Sequence, residues 1–174
     1  MCFDCRNFIK KNSEILDLGC GSGIVAKNFQ DFFQSKIIGV DIQDKRIIPI
    51  PFKIIDGKHL PFGDKSFDVV LINYVLHHSE NPITLLKEAK RVTRDKIVVY
   101  EDLSEDIFSK FLCWFHKITF SWLFQKNKVF DGMFKNTREW KDIFDKLGIK
   151  TVFQKVFPHT IYPLKRQMFV LENI

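Results

Sequence analysis

Proline and glycine are scarce, 6 and 8 in 174 residues, and neither gathers into a tract. Collagen-like and Gly/Ser-linker segments are therefore excluded. No run of about 18 uncharged apolar residues occurs, so no membrane-spanning helix is expected. The stretch MCFDCRNFIKKN has no apolar core behind a basic start, which argues against a secretory signal and for a cytoplasmic protein. Cysteine is limited to Cys2, Cys5, Cys20 and Cys113. That is too few for a disulfide scaffold, and Cys2-x-x-Cys5 lacks the second pair that would complete a four-ligand zinc site. No metal is expected. Repeats are absent, as is a basic stripe: the excess of 27 Lys+Arg over 21 Asp+Glu, net +6, is scattered along the chain. Phenylalanine is abundant, at 19 residues within a 45% hydrophobic composition. A chain of this length and composition makes one folded domain spanning 1–174.

Five short apolar runs are bounded by polar or turn residues: Glu14–Leu18, Lys36–Asp41, Phe52–Asp56, Phe67–Asn73 and Lys96–Glu101. Most of their apolar residues are β-branched, and they read as buried strands. Between the first two, Val25, Phe29, Phe32 and Phe33 share one helical face; between the last two, Leu85, Leu86, Ala89 and Val92 do the same. Asn81 stands at the N-cap of that second helix with Pro82 at its first position. Ile42–Pro51 carries Pro49 and Pro51 and reads as loop. Strands alternating with helices predict a doubly wound, mostly parallel α/β sheet covered on both faces. Farther on, Ser104 is placed to cap a long helix carrying Ile107, Phe108, Phe111, Leu112, Phe115, Ile118 and Trp122. A further helix begins near Asn136 or Thr137, with Trp140, Ile143, Phe144 and Leu147 on one face and Gly148 at its end. Lys150–Phe157 and Gln167–Leu171 predict two strands paired antiparallel at the sheet edge.

The first strand runs into Gly19-x-Gly21-x-Gly23 and then a helix. Glycines there allow positive φ and close approach of a ligand to the backbone, and the helix N-terminus favours negative charge. The dinucleotide fingerprint Gly-x-Gly-x-x-Gly is broken by Ile24, which argues against NAD. Asp17 precedes the loop by two residues, and Asp41 ends the second strand, where a carboxylate can accept hydrogen bonds from ribose hydroxyls. With these residues, LDLGCGSG, GVDIQ, DGKHLPFGDKSFDVVLINYVLHH and PITLLKEAKRV follow one another in the order of a known family. The chain resembles the class I S-adenosylmethionine-dependent methyltransferases, nearest to the group typed by the ubiquinone and menaquinone methyltransferases. NTREWKDIFDKLGI resembles a later helix of the same family.

The resemblance implies a Rossmann-like, three-layer α/β/α fold with an antiparallel edge strand, S-adenosylmethionine as cofactor and S-adenosylhomocysteine as product. It implies that Asp17 serves the ammonium of the methionine part, that the Gly19, Cys20, Gly21 and Gly23 backbone lies against the cofactor, and that Asp41 holds the ribose. Ile42 would pack on the adenine, Asp56 would accept from its amino group beside Gly57, and Asn73 would lie by the methionyl portion. Methyl transfer from a sulfonium is a direct displacement, so alignment of the acceptor dominates. A base is needed only where the nucleophile must lose a proton, and His77 and His78, after the fourth strand, are the candidates. Tyr100 and Glu101, at the end of the fifth, rank behind them.

The aromatic segment is expected to form a substrate cover at about 103–130, which suits a small hydrophobic acceptor such as a quinone, lipid or metabolite. The same face could rest on a membrane surface, helped by Lys110, Lys117, Lys126 and Lys128. Only 14 residues precede Ile15, fewer than the helical cover expected of such relatives, so residues 104–130 or a second copy in a homodimer would complete the pocket. Thr93–Lys96 replaces the Lys-Pro-Gly-Gly turn of the family. A tRNA or RNA methyltransferase is the alternative, since some tRNA enzymes carry a His pair here; against it, the Asn-Pro-Pro-Tyr motif is replaced by Asn73-Tyr-Val-Leu. A non-catalytic binding partner of the same fold is the third reading.

Overall fold

The computed structural model describes residues 1–104, 134–157 and 165–173. Among them, strands β1 (Glu14–Leu18), β2 (Lys36–Asp41), β3 (Phe52–Ile54), β4 (Phe67–Asn73), β5 (Thr93–Leu103), β6 (Ile149–Phe157) and β7 (Lys165–Asn173) form one sheet of order β3-β2-β1-β4-β5-β7-β6. The first five strands pair parallel, while β7 runs antiparallel to both β5 and β6. The expected antiparallel pair is present at this side of the sheet. The later strand is the inner one: Met168, Phe169, Val170 and Leu171 are fully buried, whereas Val152, Phe153 and Val156 of β6 remain partly exposed. A continuous apolar run suits a strand flanked on both sides, and an alternating one suits the edge.

Helices α1 (Cys2–Cys5), α2 (Ile24–Phe33), α3 (Pro82–Val92) and α4 (Thr137–Lys146) complete the described architecture. Successive strand residues point to opposite faces, and this splits the core in two. One face gathers Ile15, Ile37, Val69, Leu71, Val98, Met168 and Val170 beneath Phe29 and Phe33 of α2 and Cys5 of α1. The other gathers Leu16, Leu18, Val70, Ile72, Ile97, Val99, Phe169 and Leu171 beneath Leu85, Leu86 and Ala89 of α3 and Trp140 and Phe144 of α4. The three-layer α/β/α arrangement expected from the alternation of strands and helices is the one observed.

The local signals act as their chemistry predicts. Asn81 Oδ1 accepts the Thr84 N–H at 3.0 Å, with Pro82 opening α3. Asn136 and Glu139 form a reciprocal capping box on α4. Asn136→Ala is expected to cost about 1 kcal/mol of stability, read by chemical denaturation, because it orphans the Glu139 N–H. At the other end of α4, Gly148 takes φ +63°, and Lys90 Nζ donates to the carbonyls of Leu147 and Gly148.

Two expectations are corrected. The third strand ends at Ile54 rather than Asp56, because the Asp56 carboxylate folds back to accept the N–H groups of Lys58 and His59, both at 2.7 Å. Thr93–Lys96 is strand rather than turn: α3 runs directly into β5, and a register shift between Phe67 and Val69 on β4 absorbs the junction. Ser104 sends its hydroxyl to the Phe134 carbonyl at 3.0 Å and its N–H to that of Lys135 at 3.3 Å. Ser104, at the end of β5, and residues 134–135, ahead of α4, therefore lie side by side. The expected helix over 107–124, and the substrate cover beyond Ser104, lie outside the described residues.

Candidate functional site

From β1 the chain proceeds outward to β2 and β3, then returns to the other side of β1 as β4 and β5. The two connections diverge between β1 and β4, which opens a crevice at the carboxyl ends of these strands. Gly19, Gly21 and Gly23 all hold positive φ there. A Cβ at Gly19 would stand 2.4 Å from Val75 Cγ2, whereas one at Gly21 would meet nothing within 4 Å. The loop is thus tight against the segment after β4 at its first glycine and open at its second. Val75 carried no sequence signal for this contact, which depends on how the chain turns after β4.

Asp17 is buried at the mouth of β1, with Oδ1 accepting from Asn73 Nδ2 at 3.2 Å. Its Oδ2 and the Asn73 Oδ1 are both buried without a hydrogen-bond partner. Burial, outweighing the Asn73 hydrogen bond, pushes the Asp17 carboxyl up to about 7. Two unanswered acceptors side by side call for a donor, and a cationic group supplied by a ligand would answer both.

Asp41 ends β2 with Oδ2 accepting the Gly21 N–H at 2.9 Å and Oδ1 that of Ile42 at 2.7 Å. It braces the open part of the glycine loop and, as a carboxylate, retains acceptor capacity. Exposed Ile42 lies beside Gly57, where a Cβ would come 3.2 Å from Ile42 Cγ2. Asp56 is exposed and turned into its own loop; hydrogen bonds from His59 and from the Lys58 and His59 backbones hold it well below the usual carboxylate range. Cys20 faces down rather than into the crevice, since a Cβ on Gly39 would stand 2.6 Å from its Sγ. Burial and the charges of Asp17 and Asp41 push that thiol up to about 12. It is chemically inert at neutral pH and offers the crevice only its backbone.

After β4, Tyr74 takes φ +58°, a left-handed conformation rare for a bulky residue and without sequence signal. A single turn of 3-10 helix follows, Leu76–His78. His77 is buried with Nδ1 2.5 Å from Glu101 Oε2, while His78 is exposed, its ring tilted against that of His77 with centroids 4.0 Å apart. Phe134, ahead of α4, stacks on the His77 ring at 4.7 Å. The two histidines thus have different surroundings. Tyr100 is set apart from the crevice: its hydroxyl lies 3.3 Å from Cys5 Sγ and donates to the Met1 carbonyl, under α1. No group of three or more His, Cys, Asp or Glu able to hold a metal occurs among the described residues.

Comparison with known proteins places this geometry in context. A family described as "methyltransferase domain" matches residues 16–99, the span from β1 to β5. A tRNA U34 carboxymethyltransferase of Nautilia profundicola is 32% identical over 106 residues, 49% of this chain and 35% of that protein. A ubiquinone/menaquinone biosynthesis C-methyltransferase of Bdellovibrio bacteriovorus is 30% identical over 106 residues, 53% of this chain and 45% of that protein. The first curated relatives are covered over about a third to two thirds of their own length. Among solved structures, the YcgJ protein of Bacillus subtilis superposes with a TM-score of 0.76 at 15% identity, covering 98% of this chain and 96% of that one. That likeness supports the fold.

Proposed function

We propose that this chain, whose residues 16–99 match the methyltransferase-domain family, transfers a methyl group from S-adenosylmethionine to a small hydrophobic acceptor. The observation that carries the reading is the pair of buried, unanswered acceptors, Asp17 Oδ2 and Asn73 Oδ1, beside an open glycine loop. The residues present fit the cofactor. An α-ammonium supplies the donors that Asp17 and Asn73 lack, and the bare Gly21 leaves room for a ligand against the backbone. Asp41 can accept from ribose hydroxyls while keeping its bonds to Gly21 and Ile42, with Ile42 and Gly57 forming an apolar wall for the adenine. Asp56 would receive the adenine amino group on lone pairs that its own turn leaves over. When bound, the cofactor supplies an activated methyl on a sulfonium leaving group. The protein's part is to hold the acceptor in line, exclude water and, where the acceptor atom carries a proton, take it on His77 or His78.

Asp41→Ala is expected to weaken S-adenosylhomocysteine binding by about 1.5–3 kcal/mol, the scale of charge-assisted hydrogen bonds. Unchanged affinity in calorimetry would remove Asp41 from the site.

The small-acceptor reading rests on the aromatic composition of the sequence between β5 and α4 and on Phe134 against His77. A second reading, transfer to RNA, is favoured by the identity with a tRNA U34 carboxymethyltransferase. Incubation with methyl-labelled cofactor and separate small-molecule, lipid and RNA extracts tests both. Label in an organic-soluble small product supports the first, and nuclease-sensitive label supports the second. Absence of label everywhere, from folded protein that binds the cofactor, would favour a non-catalytic member of the fold.

A further inference from the structure

Glu101 has no role in holding the cofactor as described above, yet it is among the most completely enclosed charged residues described, with no solvent exposure. Both its oxygens are used. Oε1 accepts the Leu76 N–H at 2.7 Å, and Oε2 meets His77 Nδ1 at 2.5 Å. One carboxylate on β5 thereby fixes both the backbone of the single turn after β4 and the ring that this turn presents. The ring also touches His78 and stacks on Phe134. The turn itself is held to the glycine loop, because Val75 sits against Gly19. The histidine is therefore fixed in rotation, and its neighbour Phe134 stands beside Ser104 at the end of β5.

We infer that Glu101 is a positioning residue that holds His77 as its Nδ1–H tautomer and reserves Nε2 as the base for an acceptor whose reacting oxygen or carbon carries a proton. This rests on the methyl-transfer reading above. A buried carboxylate accepts, so the proton between Glu101 and His77 belongs to Nδ1 and the only basic lone pair of the ring is on Nε2. In the step, the acceptor's oxygen or carbon forms a bond to the methyl carbon as the methyl–sulfur bond breaks. The acceptor's proton passes to Nε2, the resulting imidazolium is stabilised by the Glu101 charge, and the proton then leaves to water. A neutral amine can shed its proton to water after transfer, whereas a hydroxyl, phenol or acidic C–H acceptor gains directly from a base at the moment of attack, and these are the acceptors the dyad suits.

The test uses the full chain labelled with ¹⁵N-histidine, the His77 signals being assigned by their loss in His77→Gln. Expected in the parent is His77 protonated on Nδ1 and bare on Nε2, with Glu101→Gln shifting the ring toward the other tautomer. On the extract fraction that takes up label, Glu101→Gln should lower kcat at least tenfold while KM for the acceptor and Kd for S-adenosylhomocysteine stay within twofold, and Glu101→Asp should recover part of the rate. Should Glu101→Gln fail to fold, the parent ring measurement and Glu101→Asp decide. A parent ring protonated on Nε2, or transfer by Glu101→Gln at the parent rate, overturns the inference. Failure of the methyl-transfer reading looks different: the parent itself labels no fraction, and the ring measurement still decides what Glu101 does.

Discussion

Asp17→Asn is expected to yield a protein that is more stable than its parent above pH 7 and nearly unable to bind S-adenosylhomocysteine. Both effects have one cause. A carboxyl raised to about 7 by burial binds its proton more tightly folded than unfolded. Between about pH 4 and pH 7 the native state therefore carries the extra proton, and stability falls as pH rises through that window and levels off above it. The full cost of holding the bare carboxylate above pH 7 is at most about 4 kcal/mol, and a neutral amide avoids it. Denaturation of the two proteins at pH 4 and pH 8 should give a difference that is small at the first and several kcal/mol in favour of Asp17→Asn at the second. Binding moves the opposite way, since the buried charge that burdens the empty fold is what a cationic ligand needs, and affinity should fall roughly a hundredfold or more. Equal stability at pH 8 together with retained affinity would mean that Asp17 is a neutral structural residue.

Gly19→Ala is expected to destabilise by about 2–4 kcal/mol, for two separable reasons. The backbone sits at φ +79°, where a Cβ costs about 1–2 kcal/mol, and that Cβ would meet Val75 Cγ2 at 2.4 Å, an overlap that displaces the turn bearing the histidines. Val75→Ala in the same chain removes the overlap and leaves the dihedral cost, so the double variant should recover about half the loss. Thermal and chemical denaturation of the single and double variants decide the matter. Full stability of Gly19→Ala would show that the loop can adopt another path, and no recovery in the double variant would show that Val75 is not the obstacle.

What the sequence discloses and what it withholds divide along physical lines. Apolar runs such as Ile15–Leu18 and Val69–Ile72, and cap residues such as Asn81 and Asn136, act over a few residues, so periodicity and turn chemistry reveal them before any fold is known. The position of β7 between β5 and β6 is a long-range choice; it is visible only afterwards, in the contrast between the continuous run of β7 and the alternation of β6. In the crevice, Asp17 and the three glycines are legible because a strand must end in that loop. Asp41 and Asp56 look equivalent in sequence, each an acid at a strand end, yet Asp41 reaches across to Gly21 whereas Asp56 closes its own turn. The histidine pair reads as two equal candidates, and only β5 beside β4 separates them by setting Glu101 against His77 alone. Tyr74, left-handed without being glycine or asparagine, has no sequence mark at all.

The central claim is that Asp17 and the glycine loop receive the cationic end of S-adenosylmethionine. Calorimetric titration of S-adenosylhomocysteine into the cofactor-free chain, in two buffers of different ionisation enthalpy, tests it most directly. A single site is predicted, releasing close to one proton at pH 6, where Asp17 must ionise to bind, with that release gone at pH 8. No binding by the folded protein, or binding whose proton count is the same at both pH values, would contradict it.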